Sequence, residues 1–327
     1  MAYFQAWILT RLVSSKLVSS MVEINLPSFA KINLNLFVLG KRDDGFHEID
    51  SIMQTISLAD DINFMESESG IQLEISGAPL PADENNLVIK AARLLADHCK
   101  VKNGAKICLT KTIPVGAGLG GGSSNAAAAL IGLNRLWNLR LSLNELCELG
   151  TQLGSDVPFF FNGGTCRITG RGEKIEQISD VSGIYLIIWP AVSVSTGEAY
   201  KWLSERRKAR SETALSDLTS SVESNNLTVY RSNDGIMDSN GFQLFNDFES
   251  IVSERLPQIS EARQILLDAG AVTALMSGSG STVFGIFENE ETRQKAAEQI
   301  RCKPDWRFFA VTGLTRDYYR GRLSLDK

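Results

Sequence analysis

Histidine and paired cysteine are what this sequence has least of: two histidines, His47 and His98, and five scattered cysteines. That leaves no histidine-rich zinc site and no C-x-x-C spacing, and the odd cysteine count does not form a disulfide framework. Thiols of this kind read as small apolar residues of a reducing compartment, so the expected location is cytoplasmic. Long hydrophobic runs are missing as well, since no stretch has the ~20 unbroken apolar residues of a membrane span. Nor is positive charge in excess. Lys and Arg number 33 against 38 Asp and Glu, a formal net charge of −5. Such a balance gives no electrostatic footprint for nucleic acid or an anionic membrane, although it leaves room for a local pocket that binds a small anion.

What is present is globular: 327 residues, 43% hydrophobic and 22% charged, enough for one large or two medium domains. Residues 1–21 carry Arg11 and Lys16 and no acidic residue. A targeting peptide and a dispensable extension before a second start at Met21 both fit, and the expectation is a non-native or disordered extension. From Val22 the pattern turns β-like, with Ile32, Leu34 and Leu36 alternating and a "DDGF" turn at 43–46. "DINFMES" and "GIQLEISG" read as further strands, and "NNLVIKAARLLADHCK" as a helix with asparagine caps. "SLNELCELGTQLG" is an amphipathic helix with a capping box at Ser142 and Glu145. "GIYLIIWP" is a buried strand, and the segment from Ser204 to Asn240 is polar, part helix and part loop. "SERLPQISEARQILLDAG" reads as one helix, followed by strand, glycine turn, strand, helix and strand to the end. Strand-rich blocks precede helices in both halves, which favours an α+β architecture over repeating βαβ units. The expected division is an extension at 1–21 and domains at 22–182 and 183–327.

The stretch "PVGAGLGGGSSNAAAA" concentrates glycine: five of the seven residues from Gly116 to Gly122. Each glycine is costly to order, and a strand-to-helix turn needs only one or two. Crowded backbone N–H groups, serine hydroxyls and the positive end of a helix starting near Ser123 make a polyphosphate the natural occupant. A Walker A loop would carry lysine after its last glycine, and here Gly122 and Ser123 follow. Gly116, Gly118 and Gly121 also satisfy G-x-G-x-x-G, but Pro114 precedes the loop and no strand-end acid follows ~20 residues on, as a dinucleotide fold requires.

The whole string resembles the Pro-x-x-x-Gly-Leu-Gly-x-x-Ser-Ser-x-Ala loop of the GHMP kinase superfamily. Two companion motifs stand in the superfamily's order, "PSFAKINLNLFVLGKRDDGFHEIDSI" before it and "ALMSGSGSTVFGIF" after it, so the resemblance covers the chain from about Val22 to the last strand. It implies an α+β, GHMP kinase-like two-domain fold, with a ribosomal protein S5 domain 2-like N-terminal half and a ferredoxin-like C-terminal half. Together with "LGSDVPFFFNGGT" and "GRGE", these motifs are most similar to the superfamily branch that phosphorylates a CDP-linked branched polyol in non-mevalonate isoprenoid synthesis. Other small-molecule kinases of the superfamily, mevalonate- or sugar-type, and a catalytically silent nucleotide-binding relative are the alternatives.

The resemblance implies roles for particular residues. Pro114, Val115, Gly116, Ala117, Gly118, Leu119, Gly120, Gly121, Gly122, Ser123 and Ser124 would bind ATP, with Ser123 or Ser124 reaching Mg²⁺, whose protein ligands stay open because no acidic metal cluster is evident. Ser277 to Ser281 would support phosphates, or simply form a glycine turn. Asp156 would be the catalytic base; on residue pattern alone, capping of the next turn explains it equally. Lys31 would keep Asp156 ionised, although a solvated strand face is the cheaper explanation of a lone charge. Asn33, two residues on, shares its strand face and would position the substrate. Phe46, His47 and Tyr200 would hold the cytosine, Phe46 and Tyr200 as stacking rings and His47 at the base edge. The expected partners are ATP and the small CDP-linked polyol, with no nucleic acid and no membrane, and the expected assembly is a monomer or weak homodimer.

Overall fold

The structure is a computed structural model that describes residues 22–68, 70–216, 244–301 and 303–326. The expected extension at 1–21, Cys302 and most of the polar 204–240 segment lie outside the described residues. Strands β1 (Glu23–Lys41) and β2 (His47–Ser67) form one long antiparallel hairpin. Its turn closes by an Arg42 N–H donated to the Phe46 carbonyl at 2.8 Å, with Gly45 at φ 86°. β2 is long enough to serve two partners. Ile49–Gln54 pair with β5 (Thr165–Gly170), which pairs with β6 (Lys174–Gln177), and Asp61–Ser67 pair with β4 (Gly104–Thr110). Strand β3 (Ile71–Ser76) adds outside β4, and a two-residue strand, β8 (Phe245–Asn246), adds in parallel outside β1.

Helices α1 (Leu87–Cys99), α2 (Gly121–Leu136) and α3 (Leu143–Leu153) cover one face of this sheet. Asn86 caps α1 by accepting the Val88 N–H, and Ser142 with Glu145 closes the expected capping box on α3. A second, antiparallel sheet has the order β11-β7-β10-β9, from β7 (Ile184–Trp189), β9 (Thr273–Met276), β10 (Val283–Phe287) and β11 (Arg307–Thr312). In chain order these strands read β-α-β-β-α-β around helices including α5 (Thr196–Ser216) and α8 (Glu290–Gln299), which is the ferredoxin-like arrangement. Ala30, Ile32 and Leu34 of β1 turn to the second sheet and pack with Tyr185, Ile187, Phe284 and Val311. The middle of β1 is thus buried on both faces, between helices and the second sheet.

Three elements depart from the sequence reading. The pieces read as separate strands up to "DINFMES" are one hairpin, because no Gly or Pro interrupts the run from His47 to Ser67. The helix read over 253–270 is two, α6 (Glu249–Arg255) and α7 (Pro257–Asp268), because Pro257 supplies no N–H and occupies the first turn of a new helix. A helix at the C-terminal end, α9 (Arg316–Leu323), was not expected; Tyr319 on it is buried against Phe29 of β1 and donates its hydroxyl to the Phe160 carbonyl at 2.5 Å.

Candidate active site

The glycine-rich loop runs between β4 and α2, and its backbone conformations explain its composition. Gly116, Gly118 and Gly120 have φ of 63°, 77° and 69°. A Cβ on Gly118 would stand 2.2 Å from the Ser277 carbonyl oxygen, and one on Gly120 would stand 2.9 Å from Lys31 Cγ. Contact with two partners, the turn after β9 and the lysine of β1, therefore demands glycine here. Gly120 is the N-cap of α2 and has no side chain to satisfy the first N–H groups, so the positive end of a 16-residue helix opens into a cleft of about 780 Å³.

Lys31 sits at the floor of that cleft, 3% exposed, which rules out the solvated strand face. Its backbone N–H donates to the Leu119 carbonyl at 3.0 Å, its Nζ donates to Asn33 Oδ1 at 2.5 Å, and Nζ lies 3.6 Å from Asp156 Oδ2. The register of β1 slips between Phe29 and Lys31 and again between Asn33 and Asn35, so bulges bracket the two site residues and aim both inward. Asn33 is fixed in turn: its Nδ2 donates to Ser51 Oγ at 2.8 Å, and its N–H donates to Ser277 Oγ at 3.2 Å. Ser277 Oγ in turn donates to the Gly118 carbonyl at 3.0 Å, which ties the third motif to the glycine loop.

Asp156 occupies a turn ahead of the short helix α4 (Phe159–Asn162), which starts from Pro158 without a side-chain cap. Capping therefore does not account for this carboxylate. Its side chain is 34% exposed and lines the cleft, whereas Lys31 is desolvated. Burial pushes the Lys31 pKa below the usual lysine value, and the charge and hydrogen bonding of Asp156 oppose that shift.

Phe46, His47 and Tyr200 all line the same cleft. Phe46 is half exposed, with the Arg171 guanidinium 4.9 Å from its ring centre. The ring that lies parallel to Tyr200 is His47, with centroids 4.6 Å apart and planes 17° apart, while Phe248 meets Tyr200 edge-on. Burial, then the charges of Lys41 and Arg207, lower the His47 pKa, so the stacked imidazole is neutral at neutral pH. Burial raises the Tyr200 pKa to about 12, with the Asp156 charge adding to the shift.

Of the loop residues, Pro114 to Ser123 line the cleft and Ser124 does not. Ser124 is 2% exposed; its Oγ accepts from Ser28 Oγ at 2.7 Å, and its N–H donates to the Gly120 carbonyl at 2.9 Å. With its amide engaged and its hydroxyl accepting from Ser28, Ser124 anchors the loop from within, and a contact with the nucleotide would have to come from the donor side of that hydroxyl. Two residues that sequence reasoning missed are Asp60 and Lys111, a wholly buried ion pair directly beneath the loop. Asn246 on β8 was also missed; its Nδ2 donates to the carbonyls of Met276 and Gly278 at 2.7 and 2.8 Å and holds the Ser277–Gly278 turn in place. Among the described residues, no group of three or more His, Cys, Asp and Glu side chains could hold a metal ion, and no helix is long and apolar enough to cross a membrane.

Comparison with known proteins agrees with the fold. The sequence pattern described as "GHMP kinases N terminal domain" matches residues 86–164, and that described as "GHMP kinases C terminal" matches residues 231–305. The chain is 42% identical over 277 residues to the 4-diphosphocytidyl-2-C-methyl-D-erythritol kinase of Thermodesulfovibrio yellowstonii, covering 84% of this chain and 93% of that one. It is 40% identical over 283 residues to the enzyme of the same name from Listeria monocytogenes, covering 86% and 93%. A crystal structure of 4-(cytidine 5'-diphospho)-2C-methyl-D-erythritol kinase superposes with a TM-score of 0.71 at 29% identity, over 89% of this chain and 99% of that one. The mevalonate kinase of L. major, solved with R-mevalonate, shares the fold at 16% identity and a TM-score of 0.60, over 92% and 99%. With both domain patterns in order, and relatives of one name at about 40% identity across most of its length, the chain belongs to the GHMP kinase family, in its 4-diphosphocytidyl-2-C-methyl-D-erythritol kinase branch.

Proposed function

We propose that the chain transfers the γ-phosphoryl group of ATP to the 2-hydroxyl of 4-diphosphocytidyl-2-C-methyl-D-erythritol, a step of non-mevalonate isoprenoid precursor synthesis. The observation that carries the reading is the partly exposed Asp156 carboxylate 3.6 Å from a buried Lys31, in one cleft with the glycine loop and the Phe46, His47 and Tyr200 rings. Backbone N–H groups of the loop and the α2 terminus receive the donor phosphates. Asp156 accepts the proton of the acceptor alcohol as its oxygen bonds to the γ-phosphorus. The bond from that phosphorus to the β,γ-bridging oxygen breaks, and ADP leaves. Lys31 sets its ammonium beside Asp156 and, with Asn33, orients the hydroxyl. At the other end, Phe46 and Tyr200 stack on the cytosine while the His47 ring gives up its place on Tyr200 and turns to the base edge.

Mg²⁺ belongs to this proposal. Its fit rests on the donor set: Ser123 is an oxygen donor lining the cleft, and among the described residues there is no cluster of acids to hold a metal. That suits a hard cation brought in by the nucleotide phosphates and met by one or two protein oxygens. When bound, the ion would neutralise charge on the phosphates.

The test is an ADP-release assay on the purified chain with the CDP-linked methylerythritol, and with mevalonate and galactose as controls. Turnover with the CDP-linked acceptor alone is the expected result. Turnover confined to mevalonate or galactose would move the chain to another branch of the family, and ATP binding without turnover on any acceptor would make it a silent relative.

A further inference from the structure

Beneath the glycine loop lies a cluster of polar side chains that the reaction itself does not use. Asp60 of β2 is 0% exposed, and all its acceptor positions are filled. Oδ1 accepts the N–H groups of Thr112 and Ile113 at 2.7 and 2.8 Å, at the start of the loop. Oδ2 accepts from Asn125 Nδ2 at 2.8 Å and from the Lys111 ammonium. Lys111 Nζ also donates to Asn125 Oδ1 at 3.1 Å, and Asn125 Nδ2 reaches Ser28 Oγ of β1 at 2.9 Å. An ammonium has three N–H donors. Two are engaged here, and Lys111 lines the cleft with Nζ 3.2 Å from the point that a Cβ on Gly121 would occupy. A cation beside a helix N-terminus is unfavourable by itself, so something must hold it there. Asp60 supplies the countercharge from the side away from the cleft.

We propose that Asp60 is a positioning residue for the nucleotide: through its pair with Lys111 it holds one ammonium N–H at the floor of the glycine loop, where the donor phosphates come. It rests on the kinase reading only as far as ATP binding, because Asp60 touches neither ATP nor the acceptor. The same carboxylate accepts from the two amides that start the loop, a role an amide oxygen keeps in D60N, so that substitution reads the cation placement. The arrangement does in two parts what a Walker lysine does in one, with the cation coming from the strand before the loop instead of from its end.

The experiment measures equilibrium binding of a non-hydrolysable ATP analogue to the full chain, with KM for ATP and for the acceptor wherever turnover is present. D60N should weaken ATP binding by about tenfold or more, the scale of a lost hydrogen bond to a charged group. Acceptor KM should stay within about twofold, as expected of a distant, uncoupled site. A residue that only stabilised the fold would leave ATP affinity unmoved in the folded fraction, and that result would overturn the proposal. If D60N does not fold, K111M and D60N/K111M replace it, since the double variant buries no lone charge. The two should bind ATP equally, within about twofold, because Asp60 acts through Lys111. A further loss of about fivefold or more in the double variant would show a path that bypasses Lys111, and would equally overturn it. Failure of the parent chain to bind ATP would overturn both readings. ATP binding without turnover on the CDP-linked polyol would overturn the earlier one alone.

Discussion

Two lysine–aspartate pairs send a lysine to the same cleft, and they are built for different tasks. Lys111 and Asp60 are both buried, in direct contact, with every acceptor position of the carboxylate taken. Lys31 is buried, but Asp156 is a third exposed and stands 3.6 Å away. A saturated carboxylate has no lone pair free for a substrate proton, while one with open lone pairs at a cleft wall can accept it. The first pair is suited to holding a cation still, and the second to moving a proton. Residue type is identical in the two pairs; desolvation and hydrogen-bond saturation distinguish them.

Several substitutions sharpen or break this contrast. The largest effect on stability should come from K111M, which leaves Asp60 buried without its countercharge. We expect a loss of about 3–5 kcal/mol in urea unfolding, the cost of breaking a buried pair, whereas K31M should cost far less because water can reach Asp156. Equal losses in the two variants would erase the distinction. D156N should lower kcat by about 100-fold or more with ATP affinity nearly unchanged, as removal of a positioned base does; unchanged turnover would remove Asp156 from the chemistry. F46A should weaken acceptor binding by about 1–3 kcal/mol, the value of base–aromatic stacking, without changing KM for ATP. An unaltered acceptor KM would take Phe46 out of the cytosine site.

The smallest effect concerns pH. Because the Lys31 pKa is depressed by burial, the alkaline limb of kcat should fall below the ordinary lysine value of 10.5. Between the depressed value and 10.5 the unfolded chain holds the extra proton, so Lys31's contribution to stability rises with pH while turnover falls. K31M should remove that limb from the residual rate. A limb that persists in K31M would belong to another group.

Legibility in the sequence divides along the same line. The glycine loop could be read because its composition has no cheap structural explanation, and Lys31 of "FAKINLNL" only through the resemblance, since a solvated strand face explains a lone charge more cheaply. The bulges that aim Lys31 and Asn33 inward left no mark in the residue pattern. Asp60 did leave a signal that was overlooked. It falls on the same strand phase as Leu58, Ile62 and Phe64, all buried, although the adjacent Asp61 gives the pair the pattern of a solvated edge. Lys111 stands 51 positions from its partner, and nothing local pairs them. The stacking of His47 on Tyr200 was likewise invisible, since it joins the first hairpin to α5 across 153 positions of sequence. Short α9 escaped because "RDYYRGRL" is too polar to show a helical face.

The most direct measurement is a crystal structure of the chain with a non-hydrolysable ATP analogue and the CDP-linked acceptor. Phosphate oxygens should sit at hydrogen-bond distance, about 2.7–3.2 Å, from backbone N–H groups within Gly118–Ser123, with the acceptor's 2-hydroxyl in the same range of Asp156. Phosphates bound away from that loop, or a 2-hydroxyl turned from Asp156, would contradict the account.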